Sequence, residues 1–301
     1  MSSSSRTPTR RRAQNRLIPV ALLGALTIAG CGGASALQPA RAADLGGPVQ
    51  ERPDTAEASS GRRPAPVIHL PPHWSAHRQR ALVIALHASG GTPAGFEGKS
   101  GWDTVADEHD FVLAYLGSGS PAWKDPSNVA YVSAEIKRIK ARYNIDPRRV
   151  YVTGFSAGAY ITYFVGCRLS ATVAAIAPVS GAMASQRCRP TQPVSELTII
   201  GTHDIIPLTG NARFPAPASV TARWRGLDHC SSAAPKVSRA GPVTKRIWTS
   251  CAGGAAVGFY VINGGTHTYP GASGLAPSSA DAQYNASEDV WAFFAAHRSR
   301  G

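Results

Sequence analysis

Residues 150 to 167, VYVTGFSAGAYITYFVGC, pass from a β-branched run through Gly154-Phe155-Ser156-Ala157-Gly158 into an apolar helical pattern. A strand that turns this sharply into a helix crowds the backbone two residues before and two after its apex. Glycine fits both places. Such an apex lifts the Ser156 Oγ clear of the sheet and aims the first helical amides at the space where an oxyanion would form. The pentapeptide therefore reads as a nucleophile elbow, and the rest of the chain is arranged around it.

Upstream, the continuous apolar run ALVIALH (81 to 87) ends in the turn-rich Ala88-Ser89-Gly90-Gly91, as expected of a strand buried on both faces. A helical stretch over 97 to 109 and the short strand 111 to 116 complete a β-α-β unit. Residues 128 to 143 read as a helix that Asp146-Pro147 stops before the elbow strand. Downstream, 171 to 181 and 196 to 202 are buried strands, 217 to 229 is helical, and 243 to 250 and 257 to 262 are strands. Asn285 to Glu288 forms a capping box before VWAFFAAH, whose Trp291 and Phe294 should pack on the sheet. Alternating helices and buried strands predict an α/β fold: a mostly parallel central sheet with helices on both faces. The short spacing at 182 to 195 leaves little room for a large lid.

The first 66 residues belong to export and tethering rather than to that fold. Five arginines between Arg6 and Arg16 precede an uncharged run, Leu17 to Gly30, that ends at Ile28-Ala29-Gly30-Cys31. This is the pattern of a secretory signal over 1 to 30, with a lipobox-like end that marks Cys31 for lipidation. Two acyl chains anchor stably where one gives marginal binding, at about 0.8 kcal/mol per buried CH₂. Residues 31 to 66, rich in Gly, Ala, Pro and Ser, read as a flexible tether, and 67 to 301 as the domain. The signal holds +5 of the net +13 and the tether is balanced, which leaves +8 on the domain. A basic surface suits acidic polymers or anionic headgroups. Nucleic acid is excluded as partner by the export signal and the lack of any reader motif. The predicted location is extracytoplasmic, lipid-anchored to the cell membrane, or secreted if the lipobox is not used.

Cys167, Cys188, Cys230 and Cys251 remain, an even count in an exported chain, with three possible connectivities. Sequence-local pairing is the simplest, each bridge closing a loop of about twenty residues for roughly 3 kcal/mol. No CxxC or HExxH spacing occurs, so neither a metal nor another cofactor is expected.

A serine hydroxyl needs a base, and the base needs a carboxylate to orient it. Of the acids after Ser156, Asp204 alone immediately follows a buried strand, at the edge where parallel sheets place their ligands. Of the histidines beyond it, His229 abuts Cys230 and His297 lies near the end of the chain. His267 follows a strand in a glycine-rich loop. Ser156, Asp204 and His267 are the expected catalytic set, in the order serine, acid, histidine. The amides of Ala157 and Ser89 are the expected oxyanion donors. His87 reads as a buried residue that shapes the loop after its strand. Trp123 and Tyr269 are candidate aromatic surface for substrate.

LHASGG (86 to 91), ARYNIDPRRVYVTGFSAGAY (141 to 160), AAIAPVSGA (174 to 182), GTHDIIP (201 to 207) and GGTHTYPGA (264 to 272) together resemble the polyhydroxybutyrate depolymerase and feruloyl or acetyl-xylan esterase family of α/β-hydrolases, LpqC-type lipoprotein esterases included. The resemblance spans the whole domain. It implies a serine esterase that works through an acyl-enzyme on small or polymeric carboxylic esters. It also implies the triad Ser156, Asp204 and His267, an oxyanion role for Ser89, and bridges Cys167 to Cys188 and Cys230 to Cys251. Ala88 stands where the family usually has glycine, and Tyr269 where it commonly has tryptophan. Two rival readings use the same residues: a serine peptidase on this scaffold, and a surface lipoprotein that binds glycans without turnover.

Overall fold

The computed structural model describes residues 63–119, 123, 127–183, 188–204 and 215–300. The predicted signal, Cys31 and almost all of the predicted tether lie outside them. Residues 63 to 66, the end of that tether, rest on the domain: the Arg63 guanidinium lies 4.3 Å over the Tyr131 ring. A side chain at Gly117 would strike the Pro64 carbonyl, its Cβ only 2.6 Å away.

Nine strands form one sheet: β1 (Val67–His69), β2 (Arg80–Leu86), β3 (Val112–Leu116), β4 (Ile145–Phe155), β5 (Ala175–Val179), β6 (Ser195–Gly201), β7 (Lys236–Ala240), β8 (Val243–Trp248) and β9 (Val257–Ile262). Their spatial order is β1-β3-β2-β4-β5-β6-β9-β8-β7. The six from β3 to β9 run parallel, while β1 at one edge and β8 and β7 at the other are antiparallel. Six helices accompany them among the described residues: α1 (Pro93–Ser100), α2 (Trp102–His109), α3 (Asn128–Arg142), α4 (Ala157–Arg168), α5 (Pro217–Leu227) and α6 (Ala286–Ala295).

Strand alternation divides the core into two layers. Ala81, Val83 and Ala85 of β2 join Tyr151, Phe111, Trp291 and Phe294 on the α1, α2 and α6 side. Leu82, Ile84 and Leu86 join Val152, Ile161, Val165 and Trp224 on the α3, α4 and α5 side. Both faces are therefore covered, as the unbroken apolar strands require. The α6 rings pack as expected, Trp291 stacked on Phe111 at 4.1 Å and Phe294 on Tyr151 at 4.8 Å. The Asn285 side chain accepts from the Glu288 amide and caps α6.

Four features differ from the sequence reading. The single helix expected over 97 to 109 is two, broken at Gly101, whose φ of 70° lies in the left-handed region that favours glycine. Asp146-Pro147 does not precede the elbow strand but lies inside it. β4 begins at Ile145, paired with Arg80, and the register shifts between Arg80 and Leu82 so that this segment needs no regular ladder bonds. The strand expected over 171 to 181 is ordered as β only over Ala175–Val179. Edge strands β1 and β7 carried no signal in the sequence, because a three-residue strand has too little length and β7, KVSRA, is exposed at every position.

Candidate active site

Ser156 sits between β4 and α4 with φ 55° and ψ −111°, a backbone region that costs a non-glycine residue of order 1–3 kcal/mol. The flanking glycines make the turn possible. A Cβ at Gly154 would lie 2.5 Å from the Gly158 carbonyl carbon, and one at Gly158 would lie 2.2 Å from the Leu86 carbonyl oxygen. The first contact closes the elbow on itself. The second seats the start of α4 against the end of β2, where the loop to Ser89 leaves.

The acid and the base come from neighbouring strand ends. Asp204 follows β6 and is fully buried; His267 stands five residues past β9. Parallel register brings Gly201 beside Ile262, and the His203 amide donates to the Gly265 carbonyl at 2.8 Å. His267 Nδ1 then lies 3.0 and 3.2 Å from the two Asp204 carboxylate oxygens, and its Nε2 lies 2.9 Å from Ser156 Oγ. An imidazole that donates from Nδ1 to the carboxylate keeps Nε2 free to accept the serine proton. The two histidines set aside are elsewhere: His229 is exposed in the turn after α5, and His297 Nδ1 is bonded to the Phe293 carbonyl.

The loop that holds His267 is fixed by a residue the sequence did not single out. Buried Asp281 accepts from the Thr266 amide at 3.0 Å and from the Thr266 hydroxyl at 2.8 Å. Its own carbonyl accepts from the Gly271 amide. Phe155, the second residue of the elbow pentapeptide, lies along the face of His267 with ring centroids 5.3 Å apart and planes at 29°. Nothing in a one-dimensional pattern marks either role, since both depend on contacts across loops.

Ala157 is the first residue of α4, and Ser89 is exposed in the loop after β2. Neither amide donates to a backbone carbonyl among the described residues. His87 is buried. The Ser118 amide donates to its Nε2 at 3.1 Å, so the ring proton sits on Nδ1 and is given to the Ala88 carbonyl at 2.7 Å. Burial lowers its pKa, which the Ala88 bond only partly opposes, and the ring stays neutral. It joins the loops after β2 and β3 and takes no part among the three site residues.

The two aromatic candidates for substrate contact are both buried. Tyr269 is 4% exposed and its hydroxyl is occupied: Trp102 Nε1 donates to it at 2.8 Å, and it donates to Ser287 Oγ, which in turn donates to the Ser100 carbonyl. A tyrosine so placed ties α1 and α2 to α6. Trp123 has no exposed surface, and its ring lies 5.4 Å from His87. In this conformation neither ring offers a face to a ligand.

Cys167 is bonded to Cys188 and Cys230 to Cys251, the sequence-local pairing. Among the described residues no helix is long and apolar enough to cross a membrane.

A mostly parallel sheet with a strained serine between β4 and α4, an acid after β6 and a histidine after β9 defines the α/β-hydrolase fold. No family model matches the chain. It is 29% identical over 221 residues to a bifunctional acetylxylan esterase/xylanase of Neocallimastix patriciarum, covering 70% of this chain and 30% of that protein. It is 25% identical over 226 residues to feruloyl esterase B of Piromyces equi, covering 67% of this chain and 42% of that protein. A poly(3-hydroxyalkanoate) depolymerase of Paucimonas lemoignei is 34% identical over 114 residues, 33% of this chain and 27% of its own length. The chain thus spans less than half the length of these curated relatives. The solved acetyl xylan esterase from Aspergillus awamori shares the fold, with a TM-score of 0.57 at 17% identity over 77% of this chain and 93% of that one. The chain is thus similar over about two thirds of its length to proteins named acetylxylan and feruloyl esterase, and over a third of it to a polyhydroxyalkanoate depolymerase.

Proposed function

We propose that the chain is a serine carboxylic-ester hydrolase that acts outside the cytoplasm on acetyl-sugar, feruloyl or hydroxyalkanoate esters. The observation that carries this reading is the unbroken hydrogen-bond path from buried Asp204 through both nitrogens of His267 to Ser156 Oγ. In the acylation step His267 Nε2 takes the serine proton as Oγ adds to the ester carbonyl. The Ala157 and Ser89 amides then hold the oxyanion, and the imidazolium, stabilised by Asp204, returns the proton to the departing alcohol. Water, deprotonated by the same imidazole, releases the acid from Ser156. The names of the relatives support the substrate classes, and the two disulfides suit an oxidising compartment.

The domain plan belongs to the same proposal: residues 1–30 direct export, lipidated Cys31 and the tether to residue 66 hold the enzyme at the membrane, and 67–301 do the chemistry. Ser156→Ala in the purified protein should lower turnover of a short p-nitrophenyl ester by about 10⁶-fold while folding is kept. A phosphonate probe should label the parent protein at Ser156. Equal turnover by parent and variant would refute the assignment. Metabolic labelling with palmitate tests the anchor, and label that persists in Cys31→Ala would remove it.

A further inference from the structure

Between Asp228, which is buried, and Asp281 the chain has no acidic residue, yet it carries Lys236, Arg239, Lys245 and Arg246. This length builds β7, β8, β9 and the His267 loop, the flank of the sheet beside the candidate site. Ladder register pairs Val237 with Arg246 and Arg239 with Thr244, and Arg246 in turn with Phe259 of β9. Directly paired residues point to the same side, so Val237, Arg239, Arg246 and Phe259 share one face. Val237 is 54% exposed, the one large exposed hydrophobic among the described residues. Trp248 lies on that face as well, with the Arg225 guanidinium 4.5 Å over its ring. Lys245 faces the other way and is neutralised by Asp289.

The basic face adjoins the start of the loop that carries His267. The turn between β7 and β8 is bonded to the base of the histidine loop, the Asn263 amide donating to the Pro242 carbonyl at 2.8 Å. From β9 outward, β8 and β7 extend the sheet by two strand spacings, about 10 Å. Ser156 follows β4, so β8 and β7 stand four and five strand spacings from it, about 19 and 24 Å, a distance that only an extended polymer of several units spans.

We propose that this face binds carboxylate-bearing units of an acidic polysaccharide whose ester is presented to Ser156. The proposal rests on the esterase reading above and narrows its substrate. Guanidinium groups pair with carboxylates in a planar, two-bond geometry, and exposed Val237 beside them offers a small apolar contact to a sugar ring. An anionic bilayer fits less well, since a single exposed apolar side chain gives little area to insert.

The test uses the full chain with three substrates: acetylated glucuronoxylan, a neutral xylan acetylated to the same degree, and p-nitrophenyl acetate. The variants are Arg239→Gln/Arg246→Gln and, on the opposite face, Lys236→Gln. The parent protein should show a kcat/KM about tenfold higher on the acidic polymer, a preference lost in the double variant and at about 0.5 M salt. Lys236→Gln should behave as the parent, and p-nitrophenyl acetate turnover should be the same throughout. Equal rates on both polymers would overturn the proposal. So would an equal loss in Lys236→Gln, which would point to overall charge. Binding to phosphatidylglycerol vesicles that the double variant loses, with polymer turnover unaltered, would overturn it in favour of a bilayer. If the parent hydrolyses no ester, the esterase reading fails by itself. Affinity electrophoresis in glucuronoxylan then decides this face: retardation of the parent but not of the double variant supports it, and no retardation refutes it.

Discussion

Gly201 and Gly265 are in backbone contact: a Cβ built on Gly201 would lie 2.2 Å from the Gly265 carbonyl oxygen, the same oxygen that accepts from the His203 amide. The loop after β6 and the loop after β9 are thereby held together just ahead of Asp204 and His267. Only the absence of a side chain allows that approach.

Gly201→Ala should accordingly separate the two loops. The expected cost is about 1–3 kcal/mol of stability from overpacking, and about 10²-fold in turnover from displacement of the imidazole by about an ångström. Thermal unfolding and p-nitrophenyl ester kinetics read the two effects separately. Parent-like turnover would show that the contact does not position His267.

Phe155→Ala should leave the fold intact and free one face of the imidazole. The Phe155 ring is held between His267 and Tyr269, edge-on to the latter at 5.8 Å. We expect kcat to fall about tenfold with KM little changed, and Phe155→Leu to recover part of the loss. An unchanged kcat in Phe155→Ala would remove Phe155 from the positioning role.

Glu196 is wholly buried in β6, where Thr198 donates to it and one carboxylate oxygen has no hydrogen-bond partner. Burial pushes its pKa up to about 8, and pushes that of nearby Asp228 up to about 7. A carboxyl group with a raised native pKa binds a proton in the folded state that the unfolded chain has released. Its stabilising contribution is whole below the unfolded value near 4.5 and is lost as pH rises through about 8. Stability should therefore decline between about pH 5 and 8. Glu196→Gln should flatten that decline and raise the Tm at the alkaline end. A variant with the parent's pH dependence would mean that Glu196 does not titrate in this range.

Each disulfide closes a loop of sequence separation 21. Cys167→Ser/Cys188→Ser should cost about 3 kcal/mol in chain entropy, visible as a lower denaturant midpoint with a somewhat steeper slope, because the freed unfolded chain exposes more surface. The Cys167 bridge leaves the end of α4, twelve residues long and far along the helix from Ser156. Specific activity of the folded variant should stay at the parent's level.

Much of the fold is written locally. The glycines around Ser156 follow from backbone crowding within five residues, and Gly154 and Gly158 meet the obstacles that steric reasoning requires. The buried strands are legible as unbroken apolar runs, and the α6 cap from its own four residues. Asp204 and His267 could be singled out because each follows a strand whose C-terminal end faces the site.

What the sequence alone determined, then, was the parallel sheet, the elbow and the three side chains worth watching, because each rests on short-range sterics and hydrophobic period. The tertiary structure alone decided that Tyr269 is bound into the core by Trp102 and Ser287, that Phe155 lies against His267, that Asp281 clamps its loop, and that β7 forms a basic edge. Those roles depend on which partner stands opposite, and sheet register and loop contact set the partner across separations as long as the 111 residues between Ser156 and His267.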